Sequence, residues 1–130
     1  AWQNGIFKNN QYVGLVHYRR YFAGKELYLK KRHIASESEL LSLLEKYDAI
    51  LPKKRNYFIE SIYSHYQHAH YVKDLNCTRE IISELHPEYI TSFDAIMQGR
   101  KIHIYNMFVM SSETASEYCQ WLFPILFELE

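Results

Sequence analysis

Cysteine is scarce in this chain. Only Cys77 and Cys119 occur, far apart, with no CxxC pair and no Cys/His spacing of a zinc site. Two isolated cysteines argue against a disulfide framework and read as free thiols in a reducing compartment, the cytoplasm. Net charge is also lacking, with 15 basic against 15 acidic residues. That balance speaks against wholesale nucleic-acid binding, which needs a basic excess. Long apolar runs are missing too. The longest, 121–127, is interrupted by Pro124 and falls far short of the roughly 20 residues of a membrane helix. No internal repeat, linker or low-complexity tract breaks the chain, and no initiator methionine precedes Ala1. The chain reads as one domain, residues 1–130, excerpted from the central part of a larger one.

Hydrophobic residues make up 48% and charged residues 23%, the balance of a globular domain with its own core. Aromatic residues reach 16%, with 12 tyrosines. Tyrosine joins a large apolar ring to a polar tip, which suits ligand sites as well as cores and interfaces.

The first strand is expected at 12–17, and its apolar run, 12–16, is of the kind buried on both faces of a parallel sheet. A polar loop leads to a helix that Ser36 and Glu39 mark with capping-box spacing, ahead of a stripe at Leu40, Leu41, Leu43, Leu44 and Tyr47. A short strand is expected at 48–51, ending at Pro52. Residues 59–72 have helical character, Asn76 or Thr78 offers a cap for a helix through Leu85, and Pro87 opens another that stops at Gly99. A third strand is expected at 102–110. Ser111 or Ser112 would cap a last helix through Glu130, kinked at Pro124. Strands alternating with helices predict an α/β fold.

In open α/β sheets, ligands bind beyond the carboxyl ends of the strands. Arg19 and Arg20 follow the first strand; Lys53, Lys54 and Arg55 follow the second. Parallel strands would bring both groups to one edge, where they would attract a phosphate or diphosphate. Arginine suits this because its planar fork holds two oxygens at once. The competing structural role is a loop-fixing ion pair of Arg19 or Arg20 with Asp48 or Asp94. His17, at the strand end, is placed to act as a base or donor on the same rim, or to serve structure alone. Asn106 lies inside an apolar stretch and must satisfy its amide, either by anchoring a loop or by facing a ligand. His65, His68, His70 and Asp74 have pairwise helical spacing, but no HExxH or paired-cysteine pattern accompanies them. A solvated or substrate-facing helix accounts for them better than a metal does.

Four stretches carry a resemblance: "GLVHYRRYF", "YDAILPKK", "HPEYITSFDAIM" and "YNMFVMSSETASEYCQWLFPILFELE". Together they resemble a bacterial family of capsular and exopolysaccharide biosynthesis proteins and glycosyltransferases, across residues 2–130. That family is similar to a divergent branch of the GT-A nucleotide-sugar transferases, which implies a partial GT-A-like, Rossmann-related sheet flanked by helices. Such enzymes present a divalent metal, manganese or magnesium, from an Asp-x-Asp motif, and a later strand carries an Asn. Residues 106–110 resemble the later strand. Residues 16–20 take the place of the first, without any Asp-x-Asp, so Arg19 and Arg20 would replace the metal's charge on the leaving diphosphate.

The resemblance further implies that His17 orients donor or acceptor, that Asn106 contacts the sugar or holds the donor loop, that Tyr18 and Tyr21 stack on base or sugar, and that Lys53 and Lys54 add attraction. Its partners would be a nucleotide-sugar donor and a polysaccharide or lipid-linked glycan acceptor, at the inner face of the membrane or free in the cytoplasm. Upstream and downstream segments would complete the site. A non-catalytic module binding phosphorylated glycans shares the basic rim, and single-stranded RNA binding is the weakest alternative.

Overall fold

The computed structural model describes residue 3 and residues 5–130. The elements are, in order, β1 (Tyr12–Leu15), β2 (Ala23–Leu29), β3 (Arg32–Ile34), α1 (Glu37–Leu44), β4 (Ala49–Ile50), β5 (Arg55–Asn56), α2 (Ile62–Ala69), α3 (Val72–Leu85), α4 (Ile90–Gln98), β6 (Lys101–Ile102), β7 (Phe108–Ser111) and α5 (Ser112–Leu129). This is the expected α/β class. Residues 1–53 with 104–119 make one compact unit, and residues 54–103 with 120–130 make a second.

The first unit is built on a three-stranded sheet in the order β1-β7-β4. Neighbouring strands are antiparallel rather than parallel: Val13 pairs with Met110, and Ala49 pairs with the same Met110 from the other side. Because β1 and β4 are each antiparallel to β7, they run in the same direction as one another. Their carboxyl ends therefore share one edge, as expected, by a different topology. Only the central strand has the burial of an inner strand, with Phe108, Val109 and Met110 all at 8% exposure or below. β1 is covered only in part. Leu15 and Val16 are exposed, so the apolar run at 12–16 does not mark a strand covered on both faces. Phe108, Met110 and Ala115 form the core, with Phe7, Val13 and Ala49 against it.

The expected strand at 102–110 is two strands. Tyr105 adopts a φ of 74°, a left-handed conformation that no strand tolerates, and the chain bends there before β7 begins. Asn106 therefore lies exposed in a bend, outside any strand. Beyond β7, the Ser111 hydroxyl accepts from the Thr114 amide at 3.1 Å and caps α5, which continues through Pro124.

The segment expected as a polar loop holds the β2–β3 hairpin. Leu29 pairs with Arg32, which leaves Lys30 and Lys31 as a two-residue turn with φ of 49° and 65°. Two positive φ values are what a tight type I′ hairpin requires, usually met by Asn-Gly; here two lysines meet it. The hairpin is tied to α1. Glu39 is the N3 residue of the Ser36 capping box, so its carboxylate accepts from the Ser36 amide at 3.0 Å, and it also accepts from the Lys25 amide at 2.8 Å and the Glu26 amide at 3.3 Å. Glu26 in turn accepts from the hydroxyls of Ser36 and Ser38. Gly24 permits the close approach: a Cβ there would lie 2.2 Å from the Ala35 Cα.

In the second unit, Ile81, Ile82 and Ile125 form the core, with Ile90, Phe93 and Trp121 packed on it. Arg79 on α3 holds Asp94 on α4 through two bonds of 2.7 Å. Neither Asn76 nor Thr78 caps a helix. α3 already begins at Val72, and the Thr78 hydroxyl donates back to the Asp74 carbonyl at 2.8 Å. α2 occupies only part of the expected 59–72, because His70 is extended and ends it. Pro87 opens a single 3-10 turn that leads into α4, which stops at Gly99 as its composition predicts. β5 and β6 pair antiparallel, Arg55 opposite Ile102. Cys77 and Cys119 are free thiols, and burial pushes the Cys119 thiol up from its ordinary value.

Candidate functional site

The first unit contains a cleft of about 760 Å³ at the shared strand edge. Three pieces of chain supply its charge. Arg19 and Arg20 come from the segment after β1, Lys30 and Arg32 from the hairpin, and Lys53 from the segment after β4. His33 adds a ring nitrogen, and among the described residues no aspartate or glutamate lines the cleft. Leu40, Leu43, Ile50 and Met107 supply apolar wall. Cations converging without a compensating carboxylate make an anion site: like charges repel until an anion enters between them.

Among the described residues, no carboxylate pairs with the guanidinium of Arg19 or Arg20. Asp94 is taken by Arg79 instead. Aromatic faces hold both arginines. Arg20 lies over the Tyr105 ring at 3.9 Å from its centroid, and Arg19 over the Tyr18 ring at 4.9 Å. A ring face attracts the guanidinium without consuming its N–H groups, so the forks stay available to an oxyanion. The Arg20 amide also donates to the His17 carbonyl at 2.9 Å, closing a turn that sets the two arginines at the strand end.

The cleft brings together Arg19, Arg20, Tyr21 and Lys53 of the residues picked from sequence. His17, Tyr18, Lys54 and Asn106 do not line it. His17 is exposed and packs on Tyr18 with ring centroids 4.7 Å apart. Sequence reasoning missed Lys30, Arg32, His33 and Tyr105. Lys30 and Arg32 stand in a basic stretch of sequence, but their part in the cleft depends on a hairpin whose turn lacks the usual Asn or Gly.

Magnesium and manganese take oxygen ligands, chiefly carboxylates, and the cleft offers cations where those would stand. These residues do not fit a divalent metal. Elsewhere, Nδ1 of His65 and Nδ1 of His68 each lie 3.3 Å from the Glu60 carboxylate, while His70 packs on Tyr66. Among the described residues, no group of three or more His, Cys, Asp and Glu is arranged to hold a metal ion.

Comparison with known families decides the relationship. The model described as "Domain of unknown function (DUF4422)" matches residues 1–130. The chain belongs to the DUF4422 family. A comparison of this DUF4422 chain with curated proteins finds no match. Among solved structures it is similar to the apo form of WbbM, a bifunctional glycosyltransferase, with a TM-score of 0.80 and 26% identity. The match covers 98% of this chain and 26% of the WbbM chain, so the DUF4422 chain spans about a quarter of that protein's length. Its α/β fold is thus shared with part of a glycosyltransferase. Among the described residues, no helix is long and apolar enough to cross a membrane.

Proposed function

We propose that this DUF4422 chain is the donor-handling part of a glycosyltransferase that moves a sugar from a nucleotide-sugar donor to a growing capsular or exopolysaccharide. The observation that carries the reading is the carboxylate-free cationic cleft at the end of β1 and β4. The likeness to WbbM supports the reaction class.

The chemistry asks for such a cleft. When the bond between the sugar's anomeric carbon and the diphosphate oxygen breaks, negative charge builds on the departing nucleoside diphosphate. Fixed cations already aimed at that position stabilise the transition state more than the ground state. Arg19 and Arg20 hold the diphosphate by their planar forks, and Lys53, Lys30 and Arg32 add charge from the facing walls. Tyr21 flanks the donor ring. His17, Tyr18, Lys54 and Asn106, outside the cleft lining, act on the acceptor side or on the mouth of the cleft in this reading. No step passes through a metal.

A second reading, a non-catalytic module for phosphorylated glycans or another anion, is favoured by one feature. The cleft lining contains no carboxylate that could serve as general base. One experiment separates the two. Full-length protein is titrated calorimetrically with a panel of nucleotide sugars and nucleoside diphosphates, and any binder is tested for release of the diphosphate. Binding with turnover, lost in the Arg19→Ala/Arg20→Ala variant while the fold still melts cooperatively, is the expected result. Binding without release selects the module, and unchanged affinity in the variant removes the arginines from the site.

A further inference from the structure

The second unit presents an apolar tip that the cleft chemistry does not use. Ile59 is 87% exposed, the most of any large apolar side chain among the described residues, and Phe58 beside it is 72% exposed. Loose chain is not the cause. The Tyr57 amide donates to the Arg100 carbonyl at 2.8 Å, the Phe58 amide to the Asn56 side-chain oxygen at 2.9 Å, and the Ile59 amide to the Tyr57 carbonyl at 2.7 Å. Arg100 Nη1 donates to the Phe58 carbonyl at 3.0 Å. Phe58 has a φ of 57°, a left-handed conformation that a bulky residue enters only when its surroundings impose it. The β5–β6 ladder thus forces two large apolar side chains outward into water.

The same ladder sets cations at the base of the tip. The Arg100 guanidinium is bonded to the tip backbone, Arg55 on β5 lies over the Tyr57 ring at 5.5 Å, and Lys101 on β6 is paired opposite Asn56. Glu60 is the carboxylate of this segment, and it is engaged by His65 and His68. An apolar projection with a basic collar is the arrangement that enters a lipid interface: the side chains reach the acyl boundary while the cations meet anionic headgroups. Two projecting side chains also offer far less than the roughly 800 Å² per partner of a stable protein interface.

We infer that the 55–60 segment and its partner strand β6 form a membrane-surface site, with Phe58 and Ile59 inserting and Arg55, Arg100 and Lys101 binding anionic headgroups. The site holds this part of the protein at the bilayer face. It stands apart from the reaction proposed for the cleft and does not depend on it.

The test is co-sedimentation of the full-length protein with vesicles of phosphatidylglycerol and phosphatidylethanolamine, against vesicles of phosphatidylcholine alone. Wild type should partition onto the anionic vesicles and leave them as salt rises, since the headgroup attraction is screened. Phe58→Ser/Ile59→Ser should lose about tenfold or more of the partition, with an unchanged melting temperature because both side chains are exposed. Arg55→Glu/Lys101→Glu should abolish the preference for anionic lipid. Several outcomes overturn the site: no binding by wild type, equal binding by the Phe58/Ile59 variant, or binding lost only in Arg19→Ala/Arg20→Ala, which would give it to the cleft. A Phe58/Ile59 variant that changes oligomeric state without lipid would place the tip in a protein interface and equally overturn it.

Discussion

The guanidinium of Arg20 stacks over the ring of Tyr105, 3.9 Å from its centroid, and Tyr105 reaches that position by a backbone φ of 74°. The bend that breaks the strand is therefore the same bend that seats the ring under the arginine. Removing the ring frees the arginine to wander before it meets an anion. Tyr105→Ala should weaken nucleoside-diphosphate binding about fivefold, corresponding to about 1 kcal/mol of cation–π contact. Tyr105→Phe keeps the face and should stay near wild type. Calorimetric titration of the three proteins checks this; equal affinity of wild type and the Ala variant would show that the ring holds nothing of consequence.

Arg32 and Lys54 make a sharper comparison. Arg32 lines the cleft from the hairpin; Lys54, one residue beyond Lys53, does not line it. Arg32→Ala should lower affinity for the diphosphate about tenfold, a typical loss for a charge-assisted contact, while Lys54→Ala should change it little. A titration in which Lys54→Ala is the more damaging would move the site away from this cleft.

Chelation gives a third outcome. Because cations occupy the places where metal-binding carboxylates would stand, donor binding and turnover by full-length protein should persist in excess chelator. Activity lost to chelator and restored by manganese would reveal ligands outside the cleft lining.

Glu39 couples stability to pH. Its carboxyl is held below the usual carboxylate range, first by the Ser36 amide and then by those of Lys25 and Glu26. A depressed acid stabilises the fold above its ordinary pKa, and that contribution is lost as pH falls through the lowered value. Glu39→Gln should melt below wild type at neutral pH, with the gap closing in strong acid. Parallel melting curves across pH decide it, and a gap that stays constant with pH would deny the charge any part.

Much of the fold was legible because local chemistry agreed with tertiary structure. The Ser36–Glu39 capping box, the α4 stop at Gly99 and the Ser111 cap each sit where their residue types demand. What was not legible had specific causes. The antiparallel sheet hid because strand direction leaves no mark in a short apolar run. The β2–β3 hairpin hid because lysines fill a turn where Asn-Gly is the usual signal. The break at Tyr105 hid because a tyrosine with positive φ is indistinguishable from a strand tyrosine in sequence. Among the residues that line the cleft, the arginines and Lys53 stand out in sequence by their strand-end position. Arg32 and Tyr105 were not, since their part in the cleft arises only from the hairpin and the bend.

The order β1-β7-β4 has one more consequence. Two second-neighbour strands are separated by two ladder spacings, about 9–10 Å, fixed by backbone hydrogen bonds rather than by side-chain choice. The segments that carry Arg19 and Lys53 leave the sheet at that separation, and side-chain substitution cannot alter it. The sheet acts as a gauge: it spaces the two strand ends from which the Arg19 and Lys53 segments set out toward a shared ligand.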